Sequence, residues 1–147
     1  MSKTILLVED NPSDEKLTLV AFKDCGVSNQ VEVVRDGAAA LNYLFAEGEY
    51  ADRAGKALPT VVLLDLKLPK VDGLEVLRRV REDPRTRLQP VIILTSSREE
   101  EDVLRGYALG ANAYVRKPVE FSEFIQAVRA LGLFWLLLNE PVPGRGA

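Results

Sequence analysis

The chain has 147 residues, 47% hydrophobic and 28% charged, with a formal net charge of −3, which is the make-up of one ordinary globular domain around a single core. It holds no histidine and a single cysteine, Cys25, so a histidine base, a phosphohistidine, imidazole or cysteine-cluster metal sites and an internal disulfide are excluded. Mild acidity gives no electrostatic reason to bind nucleic acid, and the apolar run Leu133 to Leu138 is too short to span a bilayer.

In chain order, apolar runs rich in Val, Ile and Leu predict short strands at Thr4–Val8, Val31–Val34, Val61–Leu64, Val91–Leu94 and Ala113–Val115. Their lack of alternation predicts burial on both faces. Helical spacing fills the gaps. A first helix is expected from Pro12 with Asn11 as cap and Gly26 as stop, and a second over about 36–47. A third follows Asp72, with Glu75 three residues on and Pro84 at its end; a fourth follows Ser97, with Val103, Leu104, Tyr107 and Ala108 as its apolar stripe and Gly110 as stop. A fifth carries Phe121, Phe124, Ile125, Val128 and Leu131 at helical spacing. Five strands alternating with five helices predict an α/β domain with a parallel sheet and helices on both faces. Ligands of such sheets sit at the carboxyl ends of the strands.

Those ends carry Glu9 and Asp10, Asp65, Thr95 with Ser96 and Ser97, and Lys117 with Pro118. Gathered together, Glu9, Asp10 and Asp65 would stand within ~5 Å of one another and repel pairwise by roughly 3 kcal/mol. Lys117 offsets part of that, and a divalent cation would offset the rest. Hard oxygen ligands point to Mg²⁺, whose remaining ligands are water and phosphate oxygens. Carboxylates, one Lys and one hydroxyl thus suit a phosphoryl group. The turn after the first strand, Glu9-Asp10-Asn11-Pro12, lacks the glycines that a dinucleotide site needs.

Val8-Glu9-Asp10-Asn11, Leu63 to Pro69 with Asp72-Gly73, Leu94 to Ser97 and Tyr114 to Pro118 together resemble the receiver domain of bacterial two-component response regulators. The resemblance implies a flavodoxin-like, doubly wound sheet of order 2-1-3-4-5. It implies that Asp65 takes a phosphoryl group from a histidine of a partner kinase. It further implies that Asp10, Asp65 and the backbone carbonyl of Lys67 ligate Mg²⁺, with Glu9 acting mainly through water. Lys117 would pair with Asp65 and then with the phosphoryl group, and Thr95 and Tyr114 would form a switch pair. A kinase would dock near Leu17 and Pro118. Many members carry Asn two residues after the phosphoacceptor, where this chain has Lys67, which leaves the phosphoryl lifetime open. A nearer resemblance, to the small stand-alone regulators of phytochrome-type histidine kinases, is carried by Val33 to Leu41, the long connection 47–59 and the tail with Phe134, Trp135, Asn139, Pro141 and Pro143.

The tail is apolar all round, so it must be buried on more than one side. Residues 1–132 are expected to form the receiver domain and 133–147 a helix extension and arm. Leu133, Phe134, Trp135, Leu137, Leu138 and Pro141 are the expected contacts of a homodimer. The lone cysteine and the N-terminus, which lacks signal-peptide character, fit a cytoplasmic location. Neither a nucleic-acid nor a membrane partner is expected. Two other readings stand beside the first. One is a phosphorylation-independent interaction module. The other is an aspartyl-phosphate phosphatase, which would want a second Asp at the position of Lys67.

Overall fold

The computed structural model describes residues 4–24, 30–95, 100–117, 122, 123, 126, 129 and 130. Five strands, β1 (Ile5–Val8), β2 (Val31–Val34), β3 (Val61–Leu64), β4 (Val91–Thr95) and β5 (Ala113–Arg116), form one sheet of order β2-β1-β3-β4-β5. All neighbours are parallel, and Ile5 pairs with both Val31 and Val61.

The strands β1, β3 and β4 are buried throughout. Their alternate residues feed two cores, as the two-residue period of a strand requires. Leu6, Val8, Leu64 and Ile93 point into the larger one, with Leu41, Leu44, Leu74 and Leu77. Ile5, Leu7, Leu63 and Ile92 point into the smaller one, with Ala21 and Phe22. Strand β2 was expected to be buried on both faces; only its Val34 is buried and the rest are half-buried, because β2 lies at an edge of the sheet.

Helix α1 (Pro12–Asp24) begins where Asn11 Oδ1 accepts the Ser13 and Asp14 amides at 2.9 and 3.1 Å, satisfying two otherwise unpaired donors. Its expected stop, Gly26, lies outside the described residues. Helix α2 (Gly37–Phe45) is capped by Asp36, which accepts from the Ala39 amide at 2.7 Å. The long connection after it holds a 3-10 helix, Gly48–Arg53, that the spacing does not announce. Arg53 pins it, stacking 3.6 Å over the Tyr43 ring and donating to the Ala57 carbonyl at 3.1 Å. Helix α3 (Gly73–Glu82) starts as expected on Asp72, which accepts from the Glu75 amide at 3.0 Å.

Helix α4 (Glu100–Ala108) departs from its expected face. Of the stripe Val103, Leu104, Tyr107 and Ala108, only Val103 is half-buried, while Leu104 and Tyr107 are 63% and 51% exposed. The helix instead turns Gly106 inward, close to the Ile93 and Tyr114 side chains. Its expected cap, Ser97, lies outside the described residues. Four α-helices are delimited among the described residues rather than five. Of the expected fifth, Ser122, Glu123, Gln126, Arg129 and Ala130 are helical.

Candidate functional site

Parallel pairing carries the ladder one residue past the strands and fixes the functional side chains side by side. The Glu9 amide donates to the Val34 carbonyl at 3.0 Å, the Asp65 amide to Val8 at 3.1 Å, and the Lys117 amide to Thr95 at 2.8 Å. Glu9, Asp65, Thr95 and Lys117 are all buried, at 2, 8, 0 and 8% exposure, and Asp10 is exposed beside them.

Each Asp65 oxygen has its own partners. Oδ1 accepts from Thr95 Oγ1 and from the Leu66 amide, both at 2.7 Å, and Oδ2 lies 3.3 Å from Lys117 Nζ. The Lys117 ammonium also bonds to Glu9 Oε1 and, at 2.9 Å, to Asp14 Oδ2. Asp14 was not expected in the site. Its position in the first turn of α1 reads as a helix-dipole acid, yet the turn that Asn11 starts swings it onto the lysine.

One ammonium among four acids leaves an excess of negative charge. Burial pushes the Glu9 carboxyl up to about 7, with the neighbouring Asp65 adding to the rise and Lys117 opposing it. Burial works to raise Asp65 as well. The Lys117 charge and the hydrogen bonds to Glu9, Thr95 and Lys117 outweigh it and hold Asp65 below the ordinary carboxylate range. Burial works against the Lys117 charge, but Glu9, Asp65 and Asp14 keep its affinity for the proton above that of an ordinary lysine. Its partners therefore hold Asp65 as an ionised, oriented carboxylate at neutral pH. Glu9, Asp10 and Asp65 each offer an oxygen within 4.8 Å of the others, a hard-oxygen set that fits a small divalent cation.

The response regulator receiver domain model matches residues 5–129. The chain belongs to this family. Among curated relatives of this receiver domain, the probable methanogenesis regulatory protein FilR2 of Methanothrix harundinacea is 42% identical over 92% of this chain and 84% of its own. The response regulator Rcp1 of Synechocystis is 37% identical over 91% and 89%, and its Mn²⁺-bound structure superposes with a TM-score of 0.87 at 36% identity over 95% and 99%. The phosphorylated cyanobacterial phytochrome response regulator RcpA gives a TM-score of 0.88 at 40% identity over 96% and 99%. The bacteriophytochrome response regulator RtBRR gives 0.78 at 58% identity over 98% of this chain and 86% of that one.

Of the remaining expected residues, Lys67 has its side chain exposed in the loop after β3, and Tyr114 is half-buried on β5 with its ring 6.5 Å from that of Tyr107. Leu17 is partly buried against the Ile5, Leu7 and Phe22 cluster, and the exposed apolar residue of that helix is Val20. Pro118, Leu133, Phe134, Trp135, Leu137, Leu138 and Pro141 lie outside the described residues. Among the described residues, no helix is long and apolar enough to cross a membrane.

Proposed function

We propose that this receiver domain takes a phosphoryl group from a partner histidine kinase onto Asp65 and thereby switches a protein-interaction surface. The single observation that carries the reading is the division of labour at Asp65, with Thr95 on one oxygen, Lys117 near the other, and Glu9 and Asp10 alongside. An Asp65 oxygen attacks phosphorus as the phosphorus–nitrogen bond of a phosphohistidine breaks, and the freed imidazole keeps or regains its ring proton. The chain has no histidine, so the donor is on the partner. Lys117 and Thr95 face the charge that arrives on Asp65.

Asp10, Asp65 and the backbone carbonyl of Lys67 would hold Mg²⁺, with Glu9 mainly through water, and the bound ion would supply neutralisation of the phosphoryl oxygens. Movement of Thr95 toward the phosphoryl group, followed by Tyr114, would couple the new charge to α4 and β5. The chain then acts as a regulator rather than a turnover enzyme, with its own slow dephosphorylation ending the signal.

The names of RcpA and RtBRR favour a phytochrome-type kinase as partner, docking near Leu17 and Pro118. The all-round apolar tail favours a homodimer through the fifth helix and the arm 133–147, beyond a receiver domain of 1–132. A cytoplasmic location fits such a partner. Incubation with a small phosphodonor and Mg²⁺ is expected to add one phosphoryl group, seen by intact mass and absent from Asp65→Asn. No adduct on the wild-type chain overturns the proposal. Truncation after Gly132 is expected to give a monomer in light scattering, and a truncated dimer would remove the dimer assignment.

A further inference from the structure

The loop that joins β3 to α3 follows Asp65 directly, and two glycines hold it in place. At its base the Gly73 amide donates to the Leu66 carbonyl at 2.8 Å, and a methyl on Gly73 would stand 2.2 Å from the Asp65 carbonyl oxygen. At its tip the loop meets the first residue of α2. The Gly37 amide donates to the Pro69 carbonyl at 3.3 Å. A methyl on Gly37 would stand 1.8 Å from the Val71 carbonyl oxygen and 2.8 Å from Val71 Cβ, both inside the 3.0 Å that real Cβ atoms essentially never breach.

Gly37 is not among the residues with positive φ, so its backbone conformation does not demand glycine. Glycine is also a poorer helix former than alanine. What demands it is the nearness of the loop. The loop tip is further tied by the Asp36–Lys70 ion pair at 3.6 Å and by a bond from the Val71 amide to the Pro69 carbonyl at 2.8 Å. Lys70 itself has φ +67°, a left-handed conformation that a residue with a side chain keeps only where its surroundings over-determine it.

The structure assigns Gly37 as a positioning residue: the amino end of α2 sets the shape of the β3–α3 loop, and through it the placement of Asp65 and of the Lys67 main chain for phosphoryl transfer and cation binding. The assignment rests on Asp65 being the phosphoacceptor, as proposed above. Gly37 acts at a distance, through Pro69 and Val71. One added methyl must push the loop, and displacements near 1 Å can cost about a hundredfold where geometry governs a rate.

The test compares wild type, Gly37→Ala and Ala21→Gly, the last a mild destabilisation on α1 remote from the loop. Mn²⁺ affinity, the rate of adduct formation with a small phosphodonor, and amide exchange over residues 66–72 are read for each. Gly37→Ala is expected to weaken Mn²⁺ binding and slow the adduct by about tenfold or more and to speed exchange in the loop. Ala21→Gly is expected to leave all three readouts unchanged. If Gly37→Ala does not fold, Asp36→Ala, which removes the α2 cap and the Lys70 partner, is expected to weaken Mn²⁺ binding several-fold. Wild-type Mn²⁺ affinity in a folded Gly37→Ala, or failing that in Asp36→Ala, overturns the assignment, as does an equal loss in Ala21→Gly. A wild-type chain that takes up no phosphoryl group overturns the phosphoacceptor reading instead, and the Mn²⁺ and exchange readouts still judge Gly37.

Discussion

Thr95 Oγ1 meets Asp65 Oδ1 at 2.7 Å, on the oxygen that also takes the Leu66 amide, so the hydroxyl fixes one end of the carboxylate and leaves the other toward Lys117. Hydrogen bonds to charged groups contribute about 1.5–3 kcal/mol. Thr95→Ala is therefore expected to slow phosphoryl uptake by about ten- to a hundredfold, while Thr95→Ser, which keeps the donor, stays near wild type. Timed intact-mass measurements separate the two; equal slowing in both variants would show that the methyl group rather than the hydroxyl matters, and wild-type rates in both that neither does.

Lys117 pairs with Glu9, Asp14 and Asp65. Removing one partner of a buried pair costs about 3–5 kcal/mol. The cost is moderated here because Glu9, already pushed up to about 7, can take a proton. Lys117→Met is expected to lose about 2 kcal/mol in urea unfolding without divalent ions, and to regain much of it in millimolar Mg²⁺, which on the reading proposed above would bind only the folded site. Unfolding curves insensitive to Mg²⁺ would contradict the cation-binding part of the proposal.

Arg81 donates to the Gly110 carbonyl at 2.9 Å, the Gln89 carbonyl at 2.7 Å, the Arg87 carbonyl at 3.1 Å and Asn112 Oδ1 at 3.0 Å. It ties the end of α3 to the segments that lead into β4 and β5. Arg81→Met keeps much of the aliphatic packing but takes this donor from the Gly110, Arg87 and Gln89 carbonyls, while Asn112 Oδ1 keeps the Val91 amide at 2.8 Å, and about 2–3 kcal/mol of stability should go with the loss. Faster amide exchange at Ala111 and Asn112 is the accompanying signature, and wild-type exchange there would argue against the tie.

The α3 surface sets an acid-range dependence. Hydrogen bonds from Arg78 and Arg79 hold Glu75 at about 2, and those from Arg85 hold Asp83 at about 2. Both folded values lie below the unfolded ones, so the contribution is present above about pH 4.5 and is lost as the pH falls toward 2. The thermal midpoint of wild type should fall more steeply over that window than that of Glu75→Gln, and high salt should narrow the gap. Parallel curves would show that the Glu75 pairs contribute no pH dependence.

The strand-end set Glu9, Asp10, Asp65, Thr95 and Lys117 was legible because a parallel sheet places whatever follows each strand at one rim. The Asn11 and Asp72 caps were legible from local chemistry alone. Asp14 was not, since its role depends on where the first turn of α1 points relative to β5. Arg81 was hidden for the opposite reason: in a run with Arg78, Arg79, Arg85 and Arg87 it reads as one charge of a solvated face, and only tertiary structure brings its four acceptors around it. The stripe on α4 was misread because periodicity weighs large apolar residues, whereas the packed position is Gly106. The half-burial of β2 was misjudged from its apolar run alone, although the order 2-1-3-4-5 implied by the family resemblance already put that strand at an edge.

Gly106 also bears on how α4 is fastened. At Gly106 the helix meets its sheet by bare main chain, with the half-buried Val103 as the larger side chain nearby. An added side chain there would run into Ile93 and Tyr114, so the close seating depends on glycine and leaves Leu104 and Tyr107 on the outer side. The relief that α4 shows to a partner is therefore set by where its glycine seats against the sheet.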